Sequence, residues 1–252
     1  MNISSSIEAG IAEVVMHKPP VNALGVRDWF ELAEQVSRLG RDRAVRVLVL
    51  RAEGRGFNAG VDIKELQAGP GHEALLQVNR GCYAAFAAIY DCAVPVIAAV
   101  QGYCLGGGIG LVGNSDIIVA SEDASFGLPE VDRGALGAAT HLARLVPLHK
   151  VRAMVYTSAR ASARELHQFG SVLEVVPAPQ LRAAAMRVAQ TIAEKSPTVI
   201  RAAKESLNGI DPVDVKRSYR FEQGFTFELN LSGVSDEARA AFVDKRAAQF
   251  EK

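Results

Sequence analysis

Two glycine-rich segments carry the strongest chemical signal in the chain. Residues 54–62 and 102–110 each follow an apolar stretch that predicts a buried strand, at 45–51 and 95–100. Glycine lets the main chain approach a ligand closely and aim its N–H groups at it. Two such loops at the ends of adjacent strands can each present one amide to a single oxygen, as in an oxyanion hole. Tight structural turns are the alternative interpretation.

Another glycine pattern indicates a different class of enzyme. Residues 108–113 fit G-x-G-x-x-G, the fingerprint of nicotinamide dinucleotide binding. That fingerprint belongs in the tight turn directly after a strand. Here residues 101–107 intervene, and the glycines fall within a predicted helix. A dehydrogenase is therefore disfavoured, and an unchanged NADH fluorescence on mixing would exclude it.

The elements that must position these loops alternate between strand and helix, which predicts an α/β fold. Runs rich in small or β-branched apolar residues predict strands at 11–17, 45–51, 95–100, 116–120 and 172–176. Helical periodicity predicts helices at 26–39, 73–90, 137–145, 149–157 and 163–169. The segment 102–110 is also expected to open a helix. Both glycine loops should then lie at the ends of buried strands.

The character of the chain changes after Pro177. Four helices are predicted, at 180–195, 197–208, 213–229 and 236–250. We therefore divide the chain into an α/β core, residues 1–180, and a helical C-terminal region, residues 181–252. A helical region this apolar is expected to pack on something, and a neighbouring subunit is one candidate.

Charge and composition exclude several classes of function. The 252 residues include 28 basic and 28 acidic side chains, which argues against a broad electrostatic surface for nucleic acid or acidic membranes. No apolar run approaches the roughly 20 residues of a membrane helix, and the first residues lack a secretory-signal pattern. Cys82, Cys92 and Cys104 have the spacing of neither a disulfide framework nor a metal site. We expect a cytoplasmic protein with no metal site, no nucleic-acid partner and no membrane association.

Five sequence blocks resemble the crotonase superfamily, which comprises the enoyl-CoA hydratases, isomerases and their relatives. The blocks are NAL at 22–24, GFNAGVDIKE at 56–65, PVIAAVQGYCLGGG at 95–108, FGLPE at 126–130 and AFVDKR at 241–246. They occur in the family's order and span nearly the whole chain. The resemblance implies a superhelix of ββα units with a C-terminal trimerising region, assembled as a homotrimer or hexamer. It also implies an acyl-CoA substrate and no separate cofactor, because coenzyme A is part of the substrate.

The resemblance also assigns residues to a thioester site. The amides of Val61 and Gly107 are implied as the two oxyanion donors, and the dipole of the helix that Gly107 opens adds to the effect. The coenzyme A moiety is expected along Asn22, Ala23, Leu24, Ala59, Asp62, Ile63 and Lys64. Phe242 and Lys245 match positions at its adenine end, often contributed by a neighbouring subunit. Helix packing and a solvated charge are the alternatives for these last two.

The acid–base residues depart from the hydratase pattern. Hydratases use two glutamates, one placed three residues after the middle glycine and one in the FGxPE block. Here the first position is Gly110 and the second is Glu130. Because the pair positions water and passes a proton, we expect weak or absent ordinary hydratase activity. A single Glu130 resembles the isomerase arrangement, in which one carboxylate shuttles a proton, and a surface helix-cap carboxylate is the alternative.

Further polar residues lie near this gap. Thr140 and His141 replace two glycines of the family's PGxGGTxRL segment. His141 is a candidate base or water-orienting group, with a histidine bonded to a backbone carbonyl as the alternative. Asp132 is a second catalytic candidate, with an ion pair to Arg133 or Arg144 as the alternative. Candidates on the helix that can close the acyl pocket are Tyr219, Glu222 and Glu228, each more consistent with a structural role.

The departures resemble a narrower group, the bacterial crotonase-type hydrolases of steroid degradation. The segments that carry this likeness are 122–145, GFNAGVDIKE and YRFEQGFTFELN. Such enzymes open a ring of a bicyclic indane-dione CoA ester by water attack on a ring ketone and cleavage of the adjoining C–C bond. The departing carbanion is conjugated with the thioester, so the oxyanion hole stabilises it. The alternatives are an enoyl-CoA isomerase, a residual hydratase, and a non-catalytic relative that does not bind CoA esters.

Overall fold

The structure is a computed structural model that describes residues 2–69 and 71–250. Within these residues the fold has nine strands and eleven α-helices. The strands are β1 (Ile3–Glu8), β2 (Ile11–Met16), β3 (Val47–Ala52), β4 (Val96–Val100), β5 (Tyr103–Leu105), β6 (Ile117–Ser121), β7 (Ser125–Gly127), β8 (Arg160–Ser162) and β9 (Glu174–Val176). The helices are α1 (Val26–Arg41), α2 (Ile63–Ala68), α3 (His72–Tyr90), α4 (Gly107–Asn114), α5 (Ala139–Leu142), α6 (Leu148–Thr157), α7 (Ala163–Gln168), α8 (Leu181–Ala193), α9 (Pro197–Gly209), α10 (Val215–Leu231) and α11 (Val234–Val243). None of these helices is long and apolar enough to cross a membrane.

A six-stranded sheet organises the core. Its order is β1-β2-β3-β4-β6-β9, and every pair is parallel except β1 with β2. Strands β2 and β4 are buried at every residue, and β3 at all but one. Strands covered on both faces need apolar residues at successive positions, which is why they appear in the sequence as continuous apolar runs. The predicted α/β class is confirmed.

A smaller sheet runs beside the first and creates the repeating unit of the fold. It has the order β5-β7-β8, with β5 parallel to β7. Strand β4 of the large sheet is followed by β5 of the small sheet and then by α4. In the same way β6 is followed by β7, a 3₁₀ turn at Val131–Arg133 and α5. These successions are the strand-strand-helix units expected from the sequence.

The two faces of the large sheet are covered by different helices. Helices α1 and α3 pack on one face, where Trp29, Leu32 and Val36 belong to the main apolar core. Helix α8 covers the other face, above Val47, Val49, Ile97, Ala99 and Val119. Its buried residues are mostly alanines, which allow the helix to approach the strands closely: Leu181, Ala184, Ala185, Ala189 and Ala193. The division at residue 180 stays a prediction, and this helix of the C-terminal region packs on the sheet of the core.

Local backbone geometry explains where elements differ from the predicted ones. The helix expected at 137–145 is reduced to α5, because Gly137 and Ala138 adopt positive φ values of 151° and 62°. The helix expected at 236–250 spans Val234–Val243, and Lys245, with φ of 55°, follows its end. Strand β1 was not predicted, since its sequence ISSSIE is polar and five of its six residues are exposed. Three-residue strands such as β5 are too short to show a period.

Candidate active site

The two glycine-rich loops lie side by side, as their positions after β3 and β4 predict. Asn58 and Cys104 form a parallel bridge, in which Leu105 N donates to Asn58 O at 2.9 Å. Gly60 adopts φ of +88°, and a Cβ at that position would lie 3.2 Å from the main-chain nitrogen of Gly107. This close approach of two backbones needs glycine. The loops thereby bring residues 60–61 against the start of α4.

Two main-chain amides at this junction are free to bind a ligand. Hydrogen bonds from Leu24 N to Gly60 O and from Asp62 N to Leu24 O, both 2.9 Å, hold the segment on either side of Val61. The N–H of Val61 itself has no acceptor within the described residues. Gly107 is the first residue of α4, where helix N–H groups have no partner inside the helix. Both residues line one cavity, and both amides of the expected oxyanion hole therefore lie at the same site.

The cavity has a volume of about 490 Å³, which is the size of a small-molecule site. Its walls come from distant parts of the chain: the loop around residues 59–64, helix α3, the start of α4, the segment 129–138, and helices α10 and α11. The C-terminal helices thus close the cavity over the core of the same chain.

The cavity contains Glu130, the one carboxylate of the hydratase acid–base pair that the sequence retains. Its Oε1 lies beside Gly106, since a Cβ on that glycine would come within 2.5 Å of it. Its Oε2 is shielded from solvent and has no hydrogen-bond partner among the described residues. Burial raises the pKa of Glu130 to about 8, Glu222 adds to the increase, and the positive charge of Arg133 opposes it. The carboxyl group therefore lies beside the residue that precedes Gly107 in the chain, and it can exchange a proton near neutral pH.

The second hydratase carboxylate is replaced by an aromatic ring. A Cβ at Gly110 would lie 2.5 Å from Cε1 of Phe86 and closer still to two other atoms of the same ring. The ring packs edge-on against Trp29 and contacts His141 and Tyr219, with centroid distances of 5.7, 5.1 and 5.1 Å. Real side chains do not approach that closely, so position 110 has no room for a glutamate while Phe86 keeps this place.

His141 lies behind the cavity wall rather than in the cavity. Its side chain is 1% exposed, and the residue is not part of the lining. Asn114 Nδ2 donates to Gly110 O at 2.7 Å and is 3.0 Å from His141 Nδ1. Nδ1 is therefore the acceptor, and the ring proton lies on Nε2. Burial lowers the pKa of His141 to about 3, so the ring is neutral. The structure does not bring this predicted catalytic residue to the oxyanion amides.

Asp132 is also separated from the cavity. It is exposed within the 3₁₀ turn and does not line the site. Its expected ion pairs are absent from the described residues, because Arg144 binds Asp211 at 2.8 Å. Arg133 lies over the ring of Phe242 at 4.2 Å and donates to a main-chain carbonyl. Neither the catalytic role nor the ion pair expected for Asp132 has support in its position.

The residues expected to contact coenzyme A fall into two groups. Those that line the cavity are Ala23, Ala59, Asp62, Ile63, Lys64 and Phe242. Asn22 does not line the cavity, because its side chain stabilises a turn. Its Oδ1 accepts a hydrogen bond from Lys18 N, and its Nδ2 donates to two main-chain carbonyls. Leu24 is fully buried and acts through the main-chain bonds that flank Val61. Lys245 lies outside the cavity, beyond the end of α11.

Several lining residues were not predicted from the sequence. Lys18 extends along the rim, where it forms ion pairs with Asp28 at 2.9 Å and Asp62 at 3.3 Å. Helix α3 contributes Asn79 and Cys82 to the wall. The spacing of the α3 residues that line the cavity is helical, but an apolar helical stripe indicates packing as readily as a binding wall. Only the tertiary contacts distinguish the two.

Helix α10 supplies both a lining residue and an anchor. Tyr219 lines the cavity, as its position on a pocket-closing helix suggested. Glu222 accepts hydrogen bonds from Ala139 N at 2.8 Å, from Thr140 N at 2.7 Å and from the Thr140 hydroxyl. A carboxylate at a helix start satisfies free N–H groups. Glu222 and Thr140 thus have a structural role, which ties α10 to the start of α5.

Comparison with known proteins assigns the chain to a family. The family model described as "Enoyl-CoA hydratase/isomerase" matches residues 6–252. The chain belongs to the enoyl-CoA hydratase/isomerase family. This enoyl-CoA hydratase/isomerase family member superimposes on the crystal structure of an enoyl-CoA hydratase/isomerase from Pseudoalteromonas atlantica T6c with a TM-score of 0.88 and 25% identity, covering 100% of both chains. The predicted crotonase-type fold is thereby confirmed.

Two relatives share most of the sequence. The family member is 63% identical to a "(7aS)-7a-methyl-1,5-dioxo-2,3,5,6,7,7a-hexahydro-1H-indene-carboxyl-CoA hydrolase" of Rhodococcus jostii (strain RHA1) over 97% of the chain and 95% of that protein. It is also 63% identical to the protein of the same name from Mycobacterium tuberculosis (strain ATCC 25618 / H37Rv), over 96% of the chain and 98% of that protein. The narrower resemblance drawn from segment 122–145, GFNAGVDIKE and YRFEQGFTFELN is therefore confirmed.

Proposed function

We propose that this enzyme opens a ring of a bicyclic indane-dione CoA ester by hydrolysis of a C–C bond next to a ring ketone. The observation that carries the proposal is the replacement of the second hydratase carboxylate by the Phe86 ring, which leaves Glu130 as the remaining member of the hydratase pair in the cavity. A hydratase needs two groups to position and deprotonate water while protonating carbon. The 63% identity to two hydrolases of such a substrate supports the same conclusion.

The geometry supports a reaction in which one carboxyl group carries the proton. Ionised Glu130 accepts a proton from water, and the resulting hydroxide adds to the ring ketone. Collapse of the tetrahedral alkoxide forms the carboxylic acid and breaks the adjoining C–C bond, whose electron pair passes through the conjugated system to the thioester oxygen. Protonated Glu130 then returns the proton to carbon. Water is thereby divided into the new acid's hydroxyl and the new C–H bond.

The Val61 and Gly107 amides act where negative charge develops. The thioester oxygen gains charge only as the carbanion forms, so these N–H groups bind the transition state more tightly than the substrate. Loss of one such donor lowers turnover by about 10²–10³-fold in other enzymes. The pKa of Glu130, raised to about 8, is near the pH at which a group can serve as both base and acid.

The coenzyme A moiety is proposed to lie along the rim formed by residues 18–23 and 59–64. Lys64 supplies positive charge there for the phosphates, and Phe242 offers an aromatic surface from α11. Phe242 lines the cavity of its own chain, so the adenine end need not depend on a neighbouring subunit. Beyond coenzyme A, which belongs to the substrate, the proposed reaction needs no separate cofactor.

A homotrimer or hexamer is the proposed assembly. Helix α10 exposes Phe221 at 70% and Leu231 at 72%, and Phe225 packs against Phe221 with a centroid distance of 5.1 Å. Exposed apolar groups that pack together, as Phe221 and Phe225 do, are typical of protein interfaces. Light scattering coupled to size-exclusion chromatography tests this, and a monomer of 26.9 kDa would contradict it. A cytoplasmic location stays a prediction from the sequence.

The test uses two substrates with the same enzyme preparation. The purified protein is incubated with crotonyl-CoA and, separately, with the indane-dione CoA ester. Both reactions add water, so NMR must distinguish a new carboxylate from a new hydroxyl. Ring opening with inert crotonyl-CoA supports the proposal. Rapid hydration of crotonyl-CoA with an intact ring would overturn it. An isomerase is the second candidate, because a single carboxylate suffices to move a proton, and a shifted double bond without added water would favour it.

A further inference from the structure

An unused amide on helix α3 forms part of the acyl cavity. The Asn79 side chain lines the cavity and is 8% exposed. Its Nδ2 is shielded from solvent and has no hydrogen-bond partner within the described residues. Leaving a buried amide unpaired is costly, and proteins seldom do so without a function. A half-turn of the amide exchanges its two ends, so the N–H group can face the cavity.

The rest of this wall is apolar. Leu75, Val78, Cys82 and Phe86 lie on the same face of α3 and also line the cavity. Asn79 lies one helical turn from Cys82 and two from Phe86, so its amide is the polar group among these cavity-lining positions of α3. The position of the helix does not depend on this side chain, because Gln223 Nε2 from α10 donates to the main-chain carbonyl of Asn79 at 2.8 Å. Packing alone therefore does not explain an asparagine here.

Glu130 faces the same wall. Glu130 lines the cavity together with Cys82, which lies one helical turn from Asn79, and the charge of Glu130 helps to raise the pKa of the Cys82 thiol. Water activated by Glu130 would therefore attack a carbon held between the Glu130 carboxyl and the α3 wall. In the proposed reaction the oxygen on that carbon becomes an alkoxide, and the Val61 and Gly107 amides are already engaged by the thioester oxygen. A second hydrogen-bond donor is needed at that place.

We infer that the Asn79 side-chain amide donates a hydrogen bond to the oxygen of the ring ketone that water attacks. This inference rests on the proposed function. It makes Asn79 a second oxyanion donor, distinct from the main-chain pair, and it sets a requirement for a carbonyl in the ring of the acyl group. A donor built for a ligand oxygen rejects analogues that lack this oxygen, because its buried N–H is then left unpaired.

The test compares Asn79→Leu, which keeps the size but removes the amide, with Arg80→Gln, a change of the next residue on the exposed side of the helix. Turnover of the indane-dione ester is expected to fall on the order of 10²-fold in Asn79→Leu and to stay unchanged in Arg80→Gln. Affinity is measured in the Glu130→Gln background. Binding of butyryl-CoA, which has no ring ketone, should be equal with and without the Asn79 change, which also shows that the cavity is folded.

Three outcomes separate the inference from the proposed function. Wild-type protein that does not open the ring overturns the proposed function and this inference with it. Active wild type and an equally active Asn79→Leu variant overturn the inference alone. Equal losses of affinity for butyryl-CoA and for the indane-dione ester, without a fall in kcat, would assign Asn79 to packing and also overturn it. A fall in kcat with unchanged butyryl-CoA binding supports the inference.

Discussion

The ring of Phe86 occupies the space into which a side chain at position 110 would project. A Cβ on Gly110 would lie 2.5 Å from Cε1 of that ring. The missing carboxylate and the aromatic wall are therefore one structural feature, formed by α3 and α4 together. This pairing predicts that a single substitution at position 110 does not recover the family's hydratase chemistry.

Gly110→Glu is expected to destabilise the protein without creating a hydratase. The new side chain must displace a ring that contacts three other rings, and overpacking of this kind costs about 1–3 kcal/mol. Thermal unfolding should show a lower Tm, and crotonyl-CoA should remain unreacted. The double variant Gly110→Glu with Phe86→Ala should recover part of the lost Tm. If the single variant has the wild-type Tm, the ring is not the obstacle.

Glu130→Gln is expected to abolish most turnover while substrate binding is kept. Glutamine preserves the size of the side chain but can neither accept nor return the proton, and general acid–base groups contribute about 10²–10⁴-fold. Steady-state kinetics and calorimetric titration with a CoA ester measure the two effects. Asp132→Asn is the matched control, because this neighbouring carboxylate is exposed and outside the cavity. Full activity of Glu130→Gln would remove Glu130 from the mechanism.

The pH dependence of kcat/KM is expected to follow the ionisation of Glu130. Its pKa is raised to about 8 by burial, and the base must be ionised to accept a proton from water. Activity should therefore rise with pH and level off above about 8. The residual activity of Glu130→Gln should lack this rise. A wild-type kcat/KM that does not change between pH 6 and 9 would contradict the assignment, because this range includes the expected pKa of about 8.

His141→Ala is expected to lower stability rather than catalysis. The change leaves a cavity and removes the acceptor of the Asn114 amide, which together cost about 2–5 kcal/mol. Turnover per folded molecule should stay within about twofold, since the histidine does not line the cavity. Denaturant unfolding and active-site titration separate the two quantities. A stable but inactive variant would restore the catalytic role.

The same histidine predicts an acid-dependent loss of stability. The fold lowers the pKa of His141 from 6.5 to about 3, so the unfolded chain binds a proton in this range and the folded chain does not. The contribution of His141 to the free energy of unfolding is therefore complete above pH 6.5, and it decreases as the pH falls towards 3. The stability gap between wild type and His141→Ala should narrow over that range. A constant gap would show that His141 is not buried as a neutral ring.

The sequence by itself determined the family, the positions of the two glycine-rich loops and of Glu130, and the absence of a carboxylate at position 110. These features lie in short contiguous blocks, where glycines permit the positive φ angles and close backbone approach that the loops need and the spacing along the chain sets the geometry. It also predicted the α/β class, because strands buried on both faces need continuous apolar runs.

Only the tertiary structure decided which side chains face the cavity. Asn79, Phe86 and Tyr219 come from α3 and α10, and the rotation of each helix about its axis depends on its packing against the others. The same packing placed His141 behind the wall and Asp132 in solvent, although both lie close to Glu130 in the sequence. Helical periodicity shows that a helix has a buried face, but a neighbour that is distant in sequence decides whether that face packs on other side chains or lines a binding site.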